Sequence, residues 1–151
     1  MTRGSLKRLS VLTIRDSSGE FLSFDLRDIL DVIATWGTEL TWVLREVSGS
    51  GPAFEPHSSE TSETFPELTL TWVDLVEFSQ RVGQIYDGMF SGMRDPASLA
   101  GIDGSEFPWK NAEISLEAVD SSYWRVFARE SEIFAALSAR FRDTELRPLL
   151  E

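Results

Sequence analysis

Apolar and polar positions alternate along some stretches of this chain and recur every three or four residues along others, and each change of period marks an element. Residues 9–14 are rich in β-formers and predict a strand. Asp16-Ser17-Ser18-Gly19 is turn chemistry, and the short apolar segment 21–24 after it completes a small hairpin. From Asp25 the period lengthens. Leu26, Ile29, Leu30 and Ile33 form one helical stripe, with Asp25 as N-cap, Asp28 at N3, Phe24 and Ile29 at staple spacing, and Gly37 as a natural stop. Residues 39–47 return to a period of two: Leu40, Trp42 and Leu44 alternate with Thr41, Val43 and Arg45, a strand.

The run 48–67 loses all periodicity. It carries Gly49, Gly51, Pro52, Pro56 and Pro66 among Ser, Thr and Glu, and predicts a long loop. A second helix follows, the longest of the chain. Thr71 caps it, Asp74 completes a capping-box pattern, and Leu75, Phe78, Val82, Ile85 and Met89 run along one face until Gly88–Gly92. Glu77 and Arg81 have the i,i+4 spacing of a surface ion pair, and Gly83 within the helix points to another element packed close by. Residues 91–110 predict a second irregular stretch, pinned by Leu99, Ile102, Phe107 and Trp109. Then Ile114, Leu116 and Ala118 alternate with Glu113, Ser115 and Glu117, a strand with one wet face. Asp120-Ser121-Ser122 turns it into a partner strand over 123–128. A last helix opens at Glu130 or Ser131, with Ile133, Phe134, Leu137 and Phe141 inward, and Pro148 ends regular structure.

This succession predicts an α+β fold: a mostly antiparallel sheet with about three helices packed on it, one layer on another. The length, 151 residues, suits a single domain spanning 1–151, with long loops at about 48–67 and 91–110, and a core that needs no disulfide or metal. No apolar run reaches the roughly 18–20 residues of a membrane span. There is no cysteine, which removes thiol chemistry and Cys-ligated metals, and the chain reads as a cytoplasmic protein.

Charge changes the picture more than composition does. The net charge is −11, and its excess lies in the middle. Residues 1–45 hold six basic and six acidic groups and residues 125–151 five of each, whereas 46–124 hold 14 acidic groups against Arg81, Arg94 and Lys110. Such a surface repels nucleic acid and anionic membranes and attracts basic proteins.

Candidate chemistry is sparse. His57, the one histidine, lies in a Pro/Ser/Glu stretch with no second His or Cys to share a metal. No Gly-x-Ser-x-Gly elbow accompanies the serines. Glu113 and Glu117, four apart on a strand, stand about 13 Å from one another, too far for a glycosidase pair. Asp103-Gly104-Ser105-Glu106 lacks the regular acidic ligands of a calcium loop. Gly49-Ser50-Gly51 opens no helix and so forms no phosphate cradle. The expectation is therefore no catalytic residue, no cofactor and no metal. Five tryptophans remain: Trp42 and Trp124, on strands, read as core, while Trp72 and Trp109 suit a binding surface.

The string Asp120-Ser121-Ser122-Tyr123-Trp124, with the strands around it and the helix ending Ala139-Arg140-Phe141, resembles the C-terminal hairpin and helix of small bacterial immunity-like proteins of polymorphic-toxin systems. The resemblance covers about thirty residues. It implies a non-enzymatic cytoplasmic antitoxin that binds one basic toxin, steered by its acidic surface. The docking residues on this reading are Glu60, Glu63, Glu67, Trp72, Asp103, Glu106 and Trp109. The alternative is a small-ligand-binding or regulatory domain built around an aromatic pocket.

Overall fold

A computed structural model of the chain describes residues 10–15, 24–54, 67–95 and 112–148. Their elements run β1 (Ser10–Arg15), α1 (Leu26–Gly37), β2 (Thr41–Ser50), β3 (Leu68–Leu70), α2 (Trp72–Gln80), β4 (Gln84–Met93), β5 (Ile114–Val119), β6 (Tyr123–Ala128), α3 (Ser131–Arg140) and β7 (Asp143–Pro148). The seven strands form one sheet in the order β3-β2-β4-β5-β6-β1-β7, antiparallel throughout. This is the α+β architecture that the alternation of periods predicts. No helix among the described residues is long and apolar enough to cross a membrane.

One row of side chains unites the sheet. Leu68, Leu44, Phe90, Leu116, Val126, Leu12 and Leu146 stand opposite one another in register, one from each strand. The five inner members are buried, and the helices close over them with Ile29 and Ile33 of α1, Leu75 of α2 and Ile133 and Leu137 of α3. Each fully buried Leu or Ile contributes about 1.5–3 kcal/mol, so this row and its helical cover are a large part of the core, alongside the fully buried Trp42 and Trp124. The other face holds a smaller buried cluster of Val43, Met89, Met93 and Ala112. Ser91 and Ser115 hydrogen-bond one another there, fully buried, at 3.0 Å. The β5 strand is therefore not wet at Ser115, contrary to its alternating pattern.

Several elements differ from the sequence reading. The second helix stops at Gln80, and residues 84–93 form β4 instead of continuing it. Every residue from Gly88 to Met93 is buried, so β4 shows an apolar run rather than alternation, and Ile85 and Met89 extend the helical stripe by coincidence. Gly83 sits in the turn between helix and strand, its N–H donating to the Ser50 carbonyl at 2.7 Å, so the close neighbour is real while the helix around it is not. The forward half of the α2 capping box forms, Asp74 N–H to Thr71 Oγ1. Arg81 reaches the Pro52 carbonyl and makes no ion pair with Glu77. The predicted loop at 48–67 begins later, since Ser48–Ser50 belong to β2, and Leu68–Leu70 directly after it form β3. The loop at 91–110 likewise yields Ser91–Met93 to β4. Strand β7 is absent from the sequence reading, and it ends at Pro148, where regular structure is expected to stop. The hairpin partner at 21–24 falls mostly outside the described residues.

Local signals hold elsewhere. Asp25 accepts the Leu26 N–H at 2.8 Å, and its own N–H donates to Asp28 Oδ2 at 2.8 Å, a complete capping box. Asp25 also accepts the Ile85 N–H at 3.0 Å, tying the start of α1 to β4. The β5–β6 turn closes through Ser122 N–H to the Val119 carbonyl at 2.8 Å, with Asp120 and Ser121 both at positive φ, the backbone of a type I′ turn.

Candidate functional site

Helices α1 and α2 lie side by side over the sheet and leave a groove of about 420 Å³ between them. Arg27, Asp28, Leu30, Asp31 and Ala34 line it from α1, and Trp72, Val76, Ser79 and Gln80 from α2. The spacing is that of two amphipathic helices whose stripes point down into the core, so the groove forms along their flanks.

Its aromatic floor is set by close packing. Trp42, fully buried on β2, donates its indole N–H to the Gly37 carbonyl at 3.1 Å. Trp72 lies beside it, ring centroids 6.0 Å apart. A Cβ on Gly37 would stand 2.6 Å from the Trp72 ring, and one on Gly92 would stand 2.8 Å from the Trp42 ring. Gly37 thus serves close approach: the backbone continues right-handed through Thr38, so it is no left-handed stop. Trp72, read from the sequence as a surface residue, is half-buried and gives the groove an edge rather than a free ring.

The rim is charged. Asp28 already serves the α1 cap and lies 3.8 Å from Arg140 Nη2, whereas Asp31, three residues on, is exposed and has no ion-pair partner among the described residues. Val73, next to Trp72, is 72% exposed, the most exposed large apolar side chain of the described residues. The Trp72 edge, the partly exposed Ala34 and Val76 and the Asp31 carboxylate offer a cationic side chain a place for its stem and its charge, with Arg27 the one cation of the lining.

A smaller recess of about 150 Å³ lies at one end of the sandwich, where Trp36, Glu39, Glu113 and Glu130 gather around Arg94, which pairs with Glu113 at 3.9 Å. Among the described residues no three His, Asp or Glu are placed to hold a metal ion. Glu117 is held by Arg125 across the β5–β6 ladder, Arg125 Nε to Glu117 Oε1 at 2.7 Å, so the two glutamates of the β5 segment belong to separate ion pairs.

Of the docking residues expected from the sequence, Glu67 and Trp72 are described. Glu67 accepts from Arg45 Nη2 at 3.3 Å across the β2–β3 edge, and Trp72 lines the groove. Glu60, Glu63, Asp103, Glu106 and Trp109, like His57, lie outside the described residues. Asp31 and Gln80 were not singled out from sequence. The available signal was the polar flank of α1, where Arg27 and Asp31 share a face, but a solvated helix looks the same until a neighbour packs beside it. No protein-family model matches the chain, and no curated protein or solved structure shows significant similarity to it.

Proposed function

We propose that this chain is a non-enzymatic protein-binding module, an acidic immunity-type inhibitor that docks a basic bacterial toxin in the cytoplasm. The observation that carries the reading is the α1–α2 groove, an apolar slot edged by Trp72 with Asp31 unpaired at its mouth. Beside it α2 adds Asp74 and Glu77, both exposed. Such a surface takes an arginine or lysine from a partner, while the net charge of −11 speeds encounter with a cationic protein. Glu60, Glu63, Glu67, Asp103, Glu106 and Trp109 extend the docking set on this reading.

The test is calorimetry and stopped-flow association against a panel of basic bacterial nuclease-type toxin domains. A complex whose association rate falls about tenfold or more between low and physiological salt is expected. Asp31→Arg weakens it while leaving thermal stability within about 0.5 kcal/mol, since the site is exposed. No association with any cationic domain, even in dilute buffer, overturns the reading. The groove volume also favours a second one, a small-ligand or regulatory domain, because it falls within the roughly 300–1,000 Å³ of ligand sites. Salt-insensitive thermal stabilisation by a small molecule, lost in Gln80→Trp, distinguishes it.

A further inference from the structure

The two edges of the sheet are unlike. Strand β3 is three residues long, whereas β7 runs for six, pairs with β1 on one side and has no strand on the other among the described residues. Exposed edges of that length invite another strand unless something blunts them.

The register shows which main-chain groups β7 offers. Pro148 stands opposite Ser10. A proline has no N–H, so it can hold that place only where its nitrogen faces away from β1. Main-chain groups of an antiparallel strand alternate in direction, so Thr144 and Leu146 turn theirs outward as well. The side chains alternate the other way about the sheet plane. Leu146 continues the apolar row on the helix face and is 52% exposed, while Glu145 and Arg147 lie on the opposite face. Arg147 Nη2 is 2.6 Å and Arg15 Nη1 3.6 Å from the Glu145 carboxylate.

The sequence Glu145-Leu146-Arg147 is complementary to itself when reversed. If a second copy approaches antiparallel with its Leu146 opposite this one, each Glu145 faces the Arg147 of the other copy, and the two leucines meet on the helix face. Two Leu146 N–H groups bond the opposing Leu146 carbonyls, and two Thr144 N–H groups bond the opposing Pro148 carbonyls, giving four main-chain hydrogen bonds. A shift of two residues in either direction loses the double charge match. Helix α3 borders this edge, Thr144 Oγ1 lying 3.2 Å from Ser138 Oγ, and the residues it exposes there, Ala135, Ser138 and Ala139, are small enough for two such helices to pass.

We propose that β7 is a homodimer interface in which two copies join edge to edge about a twofold axis normal to the sheet, extending seven strands to fourteen. A six-residue edge makes a small interface, so self-association falls at about 10–100 µM. This inference is independent of the groove and of its partner.

Sedimentation and light scattering of the full chain, from dilute solution to about 300 µM, test it against that expected range. Glu145→Arg or Arg147→Glu alone sets like charges opposite one another and weakens the dimer at least tenfold, and the two together restore it. Leu146→Pro removes an outward N–H without costing a β1 bond and abolishes association. The chain has no cysteine, which permits a direct geometric check. Leu146→Cys places two Cα atoms about 5.5 Å apart, within reach of a disulfide, whereas Arg147→Cys places them about 8 Å apart, beyond it. Rapid cross-linking of the first and not the second is the expected result, with circular dichroism confirming that each variant folds. A chain that stays monomeric across the range, or equal cross-linking at both positions, overturns the proposal, as does a double charge swap that fails to restore association.

Discussion

The two ends of the sheet rest on the same row of apolar residues but differ in what surrounds it. At the β3-β2-β4 end, with α2, the packing is aromatic: Trp42 and Trp72 fit over Gly37 and Gly92, and Phe54 meets Phe78 edge-on at 5.7 Å. At the β6-β1-β7 end, with α3, arginines organise the surface. Arg15 lies 5.5 Å from the Tyr123 ring, Arg129 5.7 Å from Phe127 and Arg140 5.0 Å from Phe141, while Arg15 and Arg147 flank Glu145. The charge follows. Among described residues, the α3 end (10–15 and 123–148) holds six arginines against four carboxylates, and the α2 end (41–54 and 67–95) three against six. The comparison separates two tasks. At the basic end Glu145 is shared by Arg15 and Arg147, while Arg125 and Arg140 reach out to Glu117 and Asp28; the acidic end leaves Glu46, Asp74 and Glu77 without ion-pair partners among the described residues, available to another molecule.

The largest effect expected from this contrast is at Trp42. Trp42→Ala removes the buried ring between Gly37 and Gly92 and costs about 3–5 kcal/mol in urea unfolding. A loss below about 1 kcal/mol would mean that the aromatic packing does not hold the acidic end together. Next comes the joint between α1 and β4. Asp25→Ala removes a helix cap and orphans the Ile85 N–H, at a cost of about 1–3 kcal/mol, whereas Asp25→Asn keeps an acceptor and costs less.

The same residue sets the two ends apart in pH. Burial pushes the Asp25 carboxyl up from its ordinary range, despite the N–H groups of Leu26 and Ile85 that favour the charge. Its folded pKa exceeds its unfolded one, so its contribution falls as pH rises from about 4 through the raised value. Glu145 is the reverse: the Arg147 hydrogen bond and charge, with Arg15, hold it low, so its contribution is present above about pH 4 and fades on acidification. In urea titrations across this range, Asp25→Asn gains on the wild type as pH rises and Glu145→Gln gains on it as pH falls; parallel curves would erase the distinction. The smallest effect belongs to the pair Glu117 and Arg125. A double-mutant cycle gives a coupling of about 0.2–1 kcal/mol that shrinks in salt.

Elements that bury one face were legible in the sequence. The α1 stripe with its Asp25 cap, the alternation around Trp42, the β5–β6 hairpin and α3 each carry a local pattern that tertiary packing leaves intact. Strand β4 hid because it is covered on both faces and its apolar positions extend a helical stripe from Leu75. Strands β3 and β7 hid for the opposite reason. An edge strand buries little, so Thr69 on one and Glu145 and Arg147 on the other look like loop. The groove was half visible. Trp72 could be marked as unusual, but Asp31 becomes notable only once α2 lies beside α1, a fact of tertiary packing that no local pattern encodes.

The position of β1 has a consequence for how the chain is made. Leu12 is flanked by Val126 on one side and Leu146 on the other, partners more than a hundred positions away. A nascent chain emerging from the ribosome therefore has no place for residues 10–15 until 123–128 are out, and the strand stays uncovered on one side until 143–148 follow. Closure over such a distance is entropically costly and slow, so assembly of this end is one late event.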